Sequence, residues 1–296
     1  MVFRVFEKII GNILFNKLLK RPDISKAYSM VPETDSWYDT ISTVHKSLTL
    51  IQQKTHEIVE IKSDDNLSLK GVYYPNNSDI TVICVHGYTS HAEREWAFPG
   101  LFYLSLGYNV LIPYQRAHGL SEGKYISFGA LEVLDMVNWV NRINQFNPSG
   151  KIIIHGLSMG GGIVLDLSNK KMKNVKCLIA DAPCVSIERF FYNVSNEIFK
   201  KNADKIALHA IKRFKKEFKY DVKDFEALDI IKDSEYPILL SAGSMEELLE
   251  LFESLKEANP RETEIIILPG CNHGNGMYKQ TEMYQNKIKE FIDKYI

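Results

Sequence analysis

Apolar positions along this chain follow two regimes, and the change between them near Ile80 is the first guide to its architecture. Before that point, strand-like runs at 57–61 and 67–74 flank Ser63-Asp64-Asp65-Asn66, a turn composition, and predict a hairpin. Beyond it, short continuous apolar runs recur at 80–85, 109–113, 151–155, 175–182, 237–242 and 264–268. Runs without polar alternation belong to strands buried on both faces. Helical spacing separates them at 94–106, 130–146, 159–167, 246–258 and 277–296, so strand and helix alternate as in a doubly wound α/β domain.

The alternation breaks once. Residues 183–236 read as helices with no strand-like run, and a structureless loop of that length is improbable, so the segment is expected to be an inserted helical cap. Within it, Ile206, Ala207, Ala210, Ile211, Phe214 and Phe218 share one face of a helix over 203–218, with lysines opposite on a solvated surface. At the N-terminus, Phe3, Phe6, Ile10, Ile13 and Leu14 recur at helical spacing among Arg4, Lys8, Lys17, Lys20 and Arg21. Glu7 and Lys8 interrupt the apolar run, so neither an export signal nor a membrane span is expected. Packing of this amphipathic helix on the protein is preferred over peripheral membrane contact through residues 1–21. The expected organisation is an N-terminal helical extension (1–54), an α/β body (55–182 and 237–296) and the cap (183–236).

The 296 residues, 45% hydrophobic and 25% charged, suffice for one large core. Thirty-six basic against thirty-seven acidic residues give a formal charge of -1, which disfavours nucleic acid as a partner. Cys84, Cys177, Cys184 and Cys271 stand singly, without metal-type or redox-type spacing, and point to a reducing, cytoplasmic compartment.

The chemistry concentrates at Gly156-Leu157-Ser158-Met159-Gly160, where a buried strand turns sharply into a helix. Such a turn needs small flanking residues and exposes the serine hydroxyl beside free helix N–H groups. A serine becomes a nucleophile only with a base, a group that orients the base, and donors for the oxyanion. His273 is the candidate base, on a glycine-containing loop after the last strand. The N–H groups of Met159 and of Tyr88, in His86-Gly87-Tyr88-Thr89-Ser90, are the candidate oxyanion donors. His86 directly follows a buried strand and reads as a structural histidine.

Together these motifs resemble the α/β-hydrolase superfamily from about Glu57 to the C-terminus. His86-Gly87, Arg116-Ala117-His118-Gly119-Leu120-Ser121, the Ser158 pentapeptide and His273 match its landmarks in order. The resemblance is to bacterial cap-bearing serine hydrolases of the esterase and acylpeptidase-like branch. It implies the α/β-hydrolase fold: a mostly parallel eight-stranded sheet, helices on both faces and a helical cap insertion. It also implies hydrolysis of an ester, thioester or amide through an acyl-serine intermediate, with a carboxylesterase-like activity (EC 3.1.1) expected on a small-molecule acyl substrate. No cofactor and no metal are implied.

The acid position departs from the superfamily pattern, for the strand at 237–242 leads into Gly243-Ser244-Met245-Glu246-Glu247. Glu246 is the first candidate, Asp181 at the end of the run at 175–182 the second, and Glu247 the third; either glutamate also suits an acidic first helical turn. Arg116 reads as a structural cation holding neighbouring carboxylates or carbonyls, with His118 and Ser121 treated alike. Cys271, two residues from His273, suggests sensitivity to thiol reagents. Phe190, Phe191, Tyr192, Phe199 and Phe214 suit either an apolar pocket or packing within the cap. An aminopeptidase or acylpeptidase and a catalytically silent binding protein remain as alternatives.

Overall fold

The computed structural model describes residues 2–23, 35–247, 249–259 and 262–296, with side chains from Phe6 onward, so the side chains of Phe3 and Arg4 lie outside the described residues. In chain order the elements are α1 (Val2–Leu19), α2 (Ile41–Gln52), β1 (Glu57–Lys62), β2 (Ser68–Tyr74), β3 (Ile80–Val85), α3 (Ala92–Ser105), β4 (Asn109–Pro113), α4 (Glu132–Phe146), β5 (Lys151–Leu157), α5 (Met159–Asp166) and β6 (Val175–Asp181). They continue with α6 (Ile187–Phe199), α7 (Ala203–Phe218), α8 (Ala227–Ile230), β7 (Ile238–Gly243), α9 (Leu249–Ala258), β8 (Thr263–Leu268), α10 (Gly276–Lys279) and α11 (Thr281–Tyr295).

One eight-stranded sheet has the order β1-β2-β4-β3-β5-β6-β7-β8. β1 and β2 form the antiparallel hairpin, β2 runs antiparallel to β4, and every later neighbour is parallel. The continuous apolar strands explain the two-sided burial. Along β3, Val82 and Cys84 enter one packed layer while Ile83 and Val85 enter the other; along β5, Ile153 separates from Ile152 and Ile154 in the same way. All parallel strands deliver their carboxyl ends to one edge, where β3, β5, β7 and β8 release the loops of the candidate site.

The N-terminal helix packs on a stripe that shares Ile10 and Leu14 with the one expected but is otherwise rotated. Leu14, Phe15, Leu18 and Leu19 are buried, whereas Phe6 and Ile13 are more than half exposed. The cause is the close approach of α7. A side chain at Gly11 would lie 2.8 Å from the Ile206 carbonyl, so α1 turns its Gly11 face inward, and Arg213 lies over the Phe15 ring. Between β6 and β7 the chain is helical, and the expected face of α7 is buried, with Phe191 of α6 meeting Phe214 edge-on. α9 starts later than expected, because Ser244 and Met245 are drawn into a turn by Leu268 and Cys271, whose carbonyls accept their N–H groups. No helix among the described residues is long and apolar enough to cross a membrane.

Candidate active site

Ser158 sits between β5 and α5 at φ 57°, ψ -115°, a conformation that costs a non-glycine residue about 1–3 kcal/mol. The backbone around it holds the strain. The Ser158 N–H donates to the Asp181 carbonyl (2.8 Å), and the Ser158 carbonyl accepts from the N–H groups of Gly162 and Cys184 (3.0 Å each). The flanking glycines are required by space: a side chain at Gly156 would collide with the Gly160 carbonyl, and one at Gly160 with the Val85 carbonyl. The turn therefore presents the hydroxyl at the carboxyl edge of the sheet. Met159 opens α5, whose first N–H groups have no acceptor within the helix.

His273 comes from the loop after β8, where Gly270 (φ 67°) and Gly274 (φ 71°) reverse the chain. Its Nε2 lies 2.9 Å from Ser158 Oγ and its Nδ1 2.8 Å from Glu246 Oε2. Of the three acid candidates, Glu246 is the one that meets the imidazole. The Gly243 N–H donates to Glu246 Oε1 (2.8 Å), so the turn after β7 fixes the carboxylate and makes up for the extra methylene. The Glu246 side chain is only 6% exposed while the imidazole is 56% exposed. The hydrogen bond to Glu246 raises the His273 pKa above its ordinary value, against the pull of desolvation.

Asp181 serves another part of the structure. It accepts a hydrogen bond from the Tyr284 hydroxyl (2.7 Å), which also lies 3.2 Å from His155 Nε2, and burial pushes its carboxyl up to about 6. Glu247 is exposed and faces a cleft. His86 is fully buried; its Nδ1 lies 2.8 Å from the Gly87 carbonyl, its Nε2 accepts from the Gln115 N–H (3.1 Å), and desolvation lowers its pKa well below the ordinary value. Arg116 grips Asp135 (2.7 and 2.8 Å) and Asp65 (3.0 and 3.1 Å), tying the β1–β2 turn to α4. His118 and Ser121 are buried against the Arg116 and Tyr114 carbonyls. Cys271 is fully buried and desolvation raises its thiol pKa, so the expected sensitivity to thiol reagents has no exposed thiolate behind it.

Two clefts meet at Ser158. The narrower, about 350 Å³, is walled by Trp37, Ile41 and Val44 from the segment before β1, together with Tyr88, Leu157 and Tyr278. The wider, about 650 Å³, lies under α6 and is lined by Phe128, Phe190 and Val194, with Arg189, Glu197 and Glu247. Phe190 stacks on Phe128 at 4.2 Å between centroids, whereas Phe191 and Phe214 are core residues.

Two supporting residues left little mark in the sequence. Asn275, fully buried, accepts from the Asn272 N–H (2.9 Å) and donates to the Ser36 carbonyl (3.0 Å), bracing the His273 loop against the N-terminal segment. Glu95, on the first turn of α3, accepts from the Gly87 N–H (2.8 Å). Only Asn275's neighbourhood to His273 hinted at a role for either. Among the described residues, no group of three or more His, Cys, Asp or Glu side chains is placed to hold a metal.

The sheet order, the strained serine between β5 and α5 and the histidine after β8 define an α/β-hydrolase. Within that class, the chain belongs to the serine aminopeptidase S33 family, whose model matches residues 76–271. It is 28% identical over 289 residues to the Bacillus subtilis protein YqkD, itself uncharacterised, covering 95% of this chain and 90% of that one. The Pyrococcus furiosus esterase Pf2001 superposes with a TM-score of 0.66 at 28% identity, over 84% of this chain and 93% of that chain. An α/β-hydrolase from Vibrio vulnificus, at 22% identity and TM-score 0.64 over 94% and 92%, shares the fold. The chain is therefore a hydrolase.

Proposed function

We propose that this hydrolase is a serine esterase that cleaves a small carboxylic ester or related acyl compound through an acyl-serine intermediate. The observation that carries the reading is the continuous relay from Ser158 Oγ to His273 Nε2 (2.9 Å) and from His273 Nδ1 to Glu246 Oε2 (2.8 Å). Ser158 attacks the carbonyl carbon while His273 takes the hydroxyl proton; the imidazolium then protonates the leaving group, and water, activated by the same nitrogen, releases the acid. Glu246 holds Nδ1 protonated so that Nε2 is free to accept. The N–H groups of Tyr88 and Met159 receive the oxyanion.

Residues 183–236 act as the cap, and the aromatic wall of the wider cleft at Phe128 and Phe190 favours an apolar group of modest size. The Pyrococcus furiosus relative is an esterase, which supports ester over amide. The family description supports amide hydrolysis of short amino-acyl substrates as the second reading. Wild type and Ser158→Ala are compared on p-nitrophenyl esters, thioesters and amino-acyl p-nitroanilides, with fluorophosphonate labelling alongside. The reading requires that Ser158→Ala lose both turnover and label; equal turnover in the variant refutes it, and a folded wild type inert to the probe points to a binding protein.

A further inference from the structure

The turn between β3 and α3 is gripped from several sides and has no exposed residue. Thr89 is left-handed (φ 52°), which a β-branched residue adopts only when its surroundings compel it. The Glu95 carboxyl reaches back eight residues to accept from the Gly87 N–H (2.8 Å) and is hydrogen-bonded to the Ser90 side chain. The Tyr88 hydroxyl donates to the Leu18 carbonyl at the end of α1 (2.5 Å). The carboxyl is also close to the reacting centre: a side chain at Gly87 would touch Glu95 Oε2 at 3.3 Å and Ser158 Cβ at 3.4 Å.

We infer that Glu95 is a positioning residue of the oxyanion loop, holding Gly87 and Ser90 so that the Tyr88 N–H points at the reacting carbonyl oxygen. The inference rests on the serine-hydrolase reading above. Glu95 lines the narrower cleft beside Ser158, and its charge matters because a carboxylate beside a developing oxyanion opposes the charge the loop is built to receive. The hydrogen bonds from Ser90 and the Gly87 N–H favour the charged carboxyl, whereas burial, the larger effect, favours the neutral one. Burial supports this state, pushing the group from the ordinary 4.5 up to about 7. Asp35, Arg94, His273 and Tyr278 face it across the narrower cleft; a His273 cation pulls its pKa down, and Asp181 pushes it up. Since the folded carboxyl is neutral below about 7 and charged above, the rate declines as pH rises through that value.

The test compares wild type, Ser158→Ala, Glu95→Ala and Glu95→Gln on p-nitrophenyl acetate across neutral pH, together with the Gly87 amide resonance in a ¹⁵N spectrum at each pH. Glu95→Ala is expected to lower kcat about 30-fold with KM within about twofold, since the donor is displaced and not removed. Glu95→Gln, which keeps the acceptor and cannot ionise, is expected to stay within about threefold of wild type and to lose the decline near pH 7. Wild-type kcat in Glu95→Ala, or Glu95→Gln as slow as Glu95→Ala at every pH, overturns the inference. Should Glu95→Ala fail to fold, the Glu95→Gln profile decides alone. If Ser158→Ala retains activity, the serine reading has failed, and the amide resonance still judges Glu95. A Gly87 shift that titrates near pH 7 in wild type and vanishes in Glu95→Gln supports the grip, and an unchanged resonance overturns it.

Discussion

Replacing Glu246 by Gln tests how this site controls its proton. The carboxylate uses Oε1 to accept from the Gly243 N–H and Oε2 to hold His273 Nδ1, so both of its oxygens act as acceptors. A glutamine has one acceptor. If its oxygen stays on Gly243, its NH₂ group faces Nδ1, which must then lose its proton, and the neutral ring carries hydrogen on Nε2, where Ser158 needs an acceptor. The variant also lacks the charge that stabilises the imidazolium. Two unit charges about 4 Å apart interact by about 4 kcal/mol at an effective dielectric near 20, and solvent over the exposed imidazole roughly halves that. About 2 kcal/mol corresponds to about 30-fold in rate, and the tautomer penalty carries the expected loss in kcat to between about 10²- and 10³-fold. The acid limb moves as well. His273 must be neutral to act, its pKa is raised chiefly by Glu246, and removing the charge shifts the onset of activity to lower pH. Burst and steady-state kinetics on p-nitrophenyl acetate over a pH series measure both. A Glu246→Gln enzyme within about threefold of wild type, alongside an Asp181→Asn enzyme that has collapsed, would show that Asp181 is the acid and refute the reasoning.

Three further outcomes follow from other parts of the structure. Arg116→Met leaves Asp135 buried without its guanidinium and is expected to destabilise the fold by about 3 kcal/mol at neutral pH by urea unfolding; the loss shrinks toward acid pH, because burial already holds the Asp135 carboxyl up at about 6. Phe190→Ala removes a wall of the wider cleft and is expected to raise KM about 10-fold for substrates that reach it, with kcat on an acetyl ester unchanged; an unaltered selectivity profile would mean the substrate does not lie there. Iodoacetamide at neutral pH is expected to leave activity intact, since Cys271 is fully buried with its thiol pKa raised and burial pushes the cleft-lining Cys184 thiol up to about 12; rapid inactivation with alkylation at Cys271 would show the His273 loop opening in solution.

The sheet was legible because its parallel strands are short, β-branched apolar runs such as Ile152, Ile153 and Ile154, bounded by polar turns and too short for helices. Ser158 and His273 were legible as well, through glycines that only a strained turn or a tight loop requires. Long-range contacts hid the rest. Glu246 ranked first among the acids, but the helix was expected to begin there, since nothing in the local sequence reveals that the Leu268 and Cys271 carbonyls pull Ser244 and Met245 into a turn. The inward stripe of α1 was partly misjudged because that helix is apolar on both sides, and Gly11 against α7 decided which side turned in. Glu95 escaped notice for a related reason: a glutamate early in a helix suits its N-terminus regardless of what lies eight residues back.

The narrower cleft joins two parts of the chain far apart in sequence. Its floor at Ser158 and His273 is bound by the geometry of proton transfer, while its outer wall at Trp37, Ile41 and Val44 comes from the segment before β1. That wall is tied to the chemistry beneath it, because the Ser36 carbonyl holds Asn275 and Trp37 packs edge-on against Tyr278. Changes at Ile41 and Val44 alter the cleft's outer wall while leaving the Ser36 and Trp37 contacts to the His273 loop in place.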